Sequence, residues 1–331
     1  MPWNYCKKNI VEYLQDLVNR KIICGYSCGF IDELENSTYY GGVQGCISPY
    51  NNIKIRKGML YDLASLTKVV ATTTRILQLI ECGILKEDTL VKDIVNEFSD
   101  NTITIKDLMF HISGLPSDLA HKEQLNKDNI RFELFKVKPD ISKKGTMTYS
   151  DIGFAMLGFI IEKIDGSLEE GCQKHIFKPL DMLHTSWLKN EDNDLYIPTE
   201  ITSERGCICK ETHDRKAFLL KQSGTAGLFS TLDDLVKFVN AILQENQSIL
   251  KKEAFKHLKE DNIQNRTWGW AKPYGNNVLY HTGFTGTSIL IDTKNKKGMI
   301  LLTNRIHPSR DNEQFLEARE EINKMFLEGI R

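Results

Sequence analysis

Short β-rich runs stand at the two ends of this 331-residue chain and helical periodicity fills the stretch between them. That order restricts the possible folds more than any other feature. Near the N-terminus, Ile10, Leu14, Leu17 and Val18 recur at helical spacing, and the apolar pieces 22–31 and 38–47, broken by Asn36-Ser37 and Gly41-Gly42, predict a hairpin. From 65 to about 260 the pattern is mostly helical, with helices expected over 65–82, 104–111, 151–164, 168–178 and 231–245 and stops at Gly83, Gly114, Gly166 and Pro179. The runs NVLYHTG, TSILID and KGMILLTN then return to strand character before a last helix over 312–329. A sheet whose strands come from both ends has to be closed by the two termini. The expected class is therefore α+β: an antiparallel sheet flanked by N- and C-terminal helices, with an all-helical domain inserted. The division follows as 1–66 and 218–331 for the sheet and 67–217 for the helices.

Charge narrows the function classes. With 43 basic residues against 44 acidic ones, no bulk field draws the chain to nucleic acid or to an anionic membrane. The longest apolar run, 154–161, ends at Glu162, far short of the ~20 residues of a membrane span. Glu12 and Asp16 interrupt the stretch after Lys7 and Lys8, so no signal h-region is expected. Eight cysteines without a CxxC pair fit reduced thiols, and the expected location is cytoplasmic.

Three SxxK strings occur, Ser65/Lys68, Ser186/Lys189 and Ser248/Lys251. Only Ser65 opens a long apolar-periodic helix, which puts Lys68 one turn on along the same face. A simple capping role fits poorly, because a lysine at the third helical position opposes the macrodipole. A lysine whose pKa its surroundings lower could instead take the Ser65 proton, and helix N–H groups could hold an oxyanion. At Tyr149-Ser150-Asp151, Ser150 or Asp151 could cap the helix that follows, and Tyr149 could relay a proton. Tyr50 and Tyr274, each with an Asn two residues on, lie in turn-like strings and rank lower. His281-Thr282-Gly283-Phe284 ends a strand-like run where a glycine would let substrate approach the backbone.

In this order the motifs resemble the serine β-lactamase and penicillin-binding-protein superfamily, in its class C-like branch with D-alanyl-D-alanine peptidases and esterases. The stretches IKDLMFHISGLP, GTAGLFSTLDDLVKF and LLTNRIHP look like that branch too. The resemblance implies a cleft between sheet and helical domain, Ser65 as acylated nucleophile, Lys68 as general base and Tyr149 as proton shuttle. It implies an oxyanion hole from the N–H groups of Ser65 and Phe284, with His281, Thr282, Gly283 and Asp151 against the substrate. No cofactor is expected, and the expected partner is a small ester, peptide or β-lactam. Two departures stand out: HTG where most β-lactamases of the family have KTG, and YSD where YxN is usual. A neutral imidazole offers a substrate carboxylate little charge at pH 7, which favours esters over β-lactams, and His281 is expected to gain charge as pH falls toward 6.

Rival readings are weaker. Gly25-Tyr26-Ser27-Cys28-Gly29 is a literal GxSxG, but too little chain precedes it for a nucleophile elbow. Cys207, Cys209 and His213 offer three metal ligands without the usual zinc spacing, so no metal is expected. A D-alanyl-D-alanine carboxypeptidase, a weak β-lactamase and a non-catalytic peptide sensor remain as alternatives.

Overall fold

The computed structural model of the chain describes residues 3–188 and 195–330. Helix α1 (Trp3–Asn19) buries Cys6, Ile10, Leu14 and Leu17 along one stripe, and the chain turns straight into strands β1 (Gly25–Ile31) and β2 (Asn36–Gly42). The far end supplies β3 (Arg266–Thr267), β4 (Trp270–Ala271), β5 (Val278–Thr282), β6 (Ser288–Asp292) and β7 (Lys297–Thr303). The seven strands order as β2-β1-β7-β6-β5-β4-β3, antiparallel throughout, so the first hairpin docks on the last strand. Tyr26 pairs with Thr303 and Ile31 with Gly298. The two ends of the chain thus close the sheet, as the sequence order predicts.

All seven β1 residues are buried, because both faces of the sheet are covered. Tyr26, Cys28 and Phe30 point to one side, where α1 and the C-terminal helix α5 (Gln314–Gly329) pack with Phe315, Ile322 and Phe326. On the opposite face, Gly29 lets Leu232 and Val236 of α4 (Leu232–Leu243) lie close against the strand. The larger core continues from there through Leu66, Val69 and Ile76 to Phe154, Met156 and Ile160 of α3 (Asp151–Asp165).

The predicted 65–82 helix is divided into three. A 3-10 turn covers Ala64–Leu66, a wide π-helical stretch runs Lys68–Thr73, and only Thr74–Glu81 is α-helical (α2). Thr74 Oγ1 donates to the Val69 carbonyl 3.0 Å away, filling one of the loosened positions. π segments of this kind gather at functional sites. The second strand stops at Gly42, not at 47, since φ of +77° there turns the chain out of the sheet. Short helices at Ile130–Phe135, Arg215–Leu220 and Lys252–Glu260 lie in stretches where periodicity predicted none. Among the described residues no helix is long and apolar enough to cross a membrane.

Candidate active site

The Ser65 turn is held from several sides. Asp62 Oδ1 accepts the Ala64 N–H at 2.8 Å, and Ala64 takes a φ of +46°, an uncommon conformation for a residue with a Cβ. Thr285 Oγ1 donates to the Asp62 carbonyl at 2.8 Å and Thr287 Oγ1 to the Leu63 carbonyl at 3.1 Å, which ties the turn to the β5–β6 connection. A Cβ on Gly283 would collide with the Leu63 carbonyl oxygen, so this approach requires glycine. Strand β4 pairs with β5 at Ala271 and Tyr280. Among the described residues the Phe284 N–H donates to no other group.

Lys68 is wholly buried, and its Nζ donates to Ser65 Oγ at 3.0 Å and to the Thr225 carbonyl at 2.9 Å. Asp151 Oδ1 lies 2.8 Å from the same nitrogen and also accepts from Thr225 Oγ1 at 2.9 Å. Burial draws the Lys68 pKa down, but the Asp151 carboxylate and Tyr149 outweigh it, and the net direction is upward. The expectation of a lowered Lys68 pKa is therefore reversed: the side chain sits as an ammonium that donates to the serine. Burial likewise opposes the Asp151 charge, yet Lys68 and Lys216 hold its carboxyl well below the usual carboxylate range. Lys216 Nζ stands 3.6 Å from Asp151, 2.8 Å from Asp118 and 3.3 Å from Asp214, so cation and anion alternate inward from Ser65. Ser150, not Asp151, caps α3, its Oγ accepting the Gly153 N–H at 3.2 Å, which leaves Asp151 free for Lys68.

Tyr149 stands at the corner expected of it. Lys68 Nζ is 5.1 Å from its ring centroid and Arg266 Cζ 5.2 Å, and the rings of His111 and His281 lie 4.6 and 6.2 Å away. Ser65, Tyr149, Asp151 and Phe284 line one cavity of about 450 Å³ together with Lys122, Arg215, Lys216 and Arg310. Tyr149 also borders a second cavity of about 490 Å³, with Arg266, His281 and Thr282.

The model of one family, described as Beta-lactamase, matches residues 37–323. The chain belongs to the β-lactamase family. The β-lactamase-family chain is 26% identical over 88% of its length to an Escherichia coli (strain K12) protein named for D-alanyl-D-alanine carboxypeptidase, covering 81% of it. It is 28% identical over 77% of its length to the N-acetylmuramyl-L-alanine amidase of Bacillus subtilis (strain 168), covering 70% of that protein. In fold it is similar to EstCE1, a hydrolase with promiscuous acyltransferase activity, with a TM-score of 0.77, 16% identity, and 98% and 99% of the two chains covered. A class C β-lactamase structure superposes with a TM-score of 0.76 at 18% identity, covering 99% of each chain.

Other expectations change. His281 is buried, and burial, Arg266 and Lys68 together hold its imidazole well below its ordinary pKa, so it gains no charge near pH 6. Its Nδ1–H donates to the Thr282 carbonyl at 3.0 Å, which leaves Nε2 as a buried lone pair with no partner among the described residues. Ser27 lies buried in β1 with its Oγ 2.9 Å from the Tyr61 hydroxyl, away from any elbow. Tyr274 donates to Glu320 of α5 at 2.6 Å. His213 sits 2.9 Å from Glu200 and stacks on the half-exposed Phe284, and does not join Cys207 and Cys209. Lys189 of the second SxxK string lies outside the described residues.

Sequence reading missed Asp62, His111, Lys216 and Arg266. His111 carried a signal in the string HISGLP, and its Nδ1 accepts the Ser150 N–H at 3.0 Å, fixing the corner before Asp151. The other three sit in stretches with no local pattern.

Proposed function

We propose that this chain is a serine hydrolase that opens an ester or amide through an acyl-enzyme on Ser65. The observation that carries this reading is the buried Lys68 ammonium 3.0 Å from Ser65 Oγ, at a cavity that Tyr149 shares. Ser65 Oγ attacks the substrate carbonyl and its proton is relayed through the Tyr149 hydroxyl, which takes it up as it gives its own proton to the leaving oxygen or nitrogen, since Lys68, paired with Asp151, already carries its full complement. The Lys68 charge offsets the negative charge that develops on Oγ during attack. The N–H groups of Ser65 and Phe284 receive the carbonyl oxygen as it becomes an oxyanion. The alkoxide or amine thus departs protonated, with the Tyr149 hydroxyl restored. A water molecule repeats the sequence on the acyl-enzyme, and the carboxylic acid leaves with Ser65 restored.

Lys122, Lys216, Arg215 and Arg310 around the cavity are each paired with a carboxylate. Phe284, 44% exposed, with Ala64, Leu125 and Ala226 gives the cavity its apolar lining for the acyl group. Small uncharged esters therefore suit the cavity better than anionic peptides or β-lactams. Intact mass after treatment with a fluorophosphonate tests the reading: one adduct is expected, on the Ser65 peptide, with parallel loss of turnover of a chromogenic short-chain ester. An adduct on Ser27, or binding without any turnover of ester, β-lactam or acyl-D-Ala-D-Ala, overturns it.

A further inference from the structure

Behind the Phe284 strand edge the fold gathers a second group of reactive side chains that acylation does not use. Cys24 precedes β1, Cys46 follows β2, and His307 comes from the loop after β7. One ligand atom from each, two thiol sulfurs and a ring nitrogen, lies within 4.8 Å of the others. Nothing in the sequence spacing announces the group, because antiparallel pairing of β1 with β2 and β7 is what brings the three positions together.

His307 is the independent sign that something belongs there. It is 5% exposed, and its Nδ1–H donates to the Thr199 carbonyl at 2.7 Å. The other ring nitrogen, Nε2, is then a lone pair, and it is buried with no hydrogen-bond donor among the described residues. Metal-binding imidazoles are commonly oriented in this way, by a carbonyl on the far nitrogen. Next to Cys46, the glycine at 45 brings backbone so close that a Cβ would stand 2.7 Å from Nε2, so a side chain there would block the nitrogen.

We propose that Cys24, Cys46 and His307 form a binding site for a thiophilic divalent metal, with Zn²⁺ the best match. Two thiolates and an imidazole suit zinc, which binds sulfur at ~2.3 Å and nitrogen at ~2.0 Å in a tetrahedron. Tetrahedral ligands at those lengths stand roughly 3.5–3.8 Å apart, so the group needs to contract by about 1 Å at most. On binding, the Cys24 and Cys46 thiols each release one proton while neutral His307 releases none, so two thiolates balance the two positive charges. The ion would pin the His307 loop to the start of β1. That loop also holds Arg305, whose Nε donates to the Phe284 carbonyl at 3.1 Å, so the metal would brace the strand edge at the cleft from behind.

The test uses the full chain, reduced, incubated with Zn²⁺ and desalted, with metal content measured by mass spectrometry. Co²⁺ serves as the coloured substitute. One metal per chain is expected, with a sulfur-to-cobalt charge-transfer band and tetrahedral visible bands. Cys46→Ser, at an exposed position that folding tolerates, is expected to weaken binding by at least about tenfold, as is His307→Ala. Cys82→Ser, also exposed, is expected to leave binding unchanged. Less than about one-tenth equivalent bound by folded, reduced wild type overturns the proposal, as does undiminished binding in folded Cys46→Ser. A Cys24–Cys46 disulfide that takes up no metal after reduction overturns it too.

Discussion

Replacing Asp151 by Asn tests the charge chain behind Ser65 more sharply than removing any catalytic group. The carboxylate oxygen lies 2.8 Å from Lys68 Nζ. At an effective dielectric of about 20, two unit charges at that separation attract by about 6 kcal/mol. Asp151 is 22% exposed and Asn keeps an oxygen for Lys68, so only part of this attraction, about half, is expected to be lost. Burial, which opposes the charge, then weighs more, and the Lys68 pKa falls from its raised value. The assay is kcat/KM for a neutral ester from pH 6 to 10.5. With Lys68 acting as an ammonium, the variant acquires an alkaline limb within this range that wild type lacks. A lysine acting as free base gives the opposite sign, with Asp151→Asn more active at pH 7 to 8 because more Lys68 is neutral. That result, or an unmoved profile, refutes the ammonium assignment. Stability moves in matching windows. The Asp151 contribution is present above the unfolded carboxylate pKa and lost as pH falls through its lowered folded value. The Lys68 contribution is present below 10.5 and lost as pH rises through its raised one. Breaking such a buried pair outright costs on the order of 3–5 kcal/mol, and Asn should cost less because Thr225 and Lys68 keep an acceptor.

Gly283→Ala is expected to push β5 from the Leu63 carbonyl, lowering stability by about 1–3 kcal/mol and kcat/KM by roughly 10²-fold, checked by thermal melting and ester turnover. Because His281 stays neutral, the kcat/KM ratio for carboxylate-bearing against neutral substrates should be flat from pH 8 to 6, and a rise toward pH 6 would contradict its buried setting. Although burial opposes it, Arg310 and His213 pull the Glu200 carboxyl from 4.5 to about 2, so Glu200→Gln should lose about 3 kcal/mol at pH 7 in urea unfolding. That difference should be complete above pH 4.5 and shrink as pH falls toward 2.

Local patterns carried as far as local physics reaches. Apolar spacing marked α1, α4 and α5 to within a few residues, because each lays one stripe on the sheet. β-branched runs and turn residues marked β5, β6 and β7, and the placement of strands at both ends already implied a sheet closed by the termini. That Ser65 and Lys68 would stand together could be read because they share one turn, and Tyr149 at a capped helix start comes to the same cavity as Ser65. Their electrostatic state could not be read. Whether Lys68 is an ammonium depends on Asp151, far along the chain, and Asp151 depends in turn on Lys216. Periodicity reports which face a residue occupies, whereas a pKa depends on distances of a few ångströms between distant segments and on the water excluded around them. The same limit hid the Cys24, Cys46 and His307 group. Its members follow no motif spacing, and only strand pairing between the two ends of the chain sets their ligand atoms side by side.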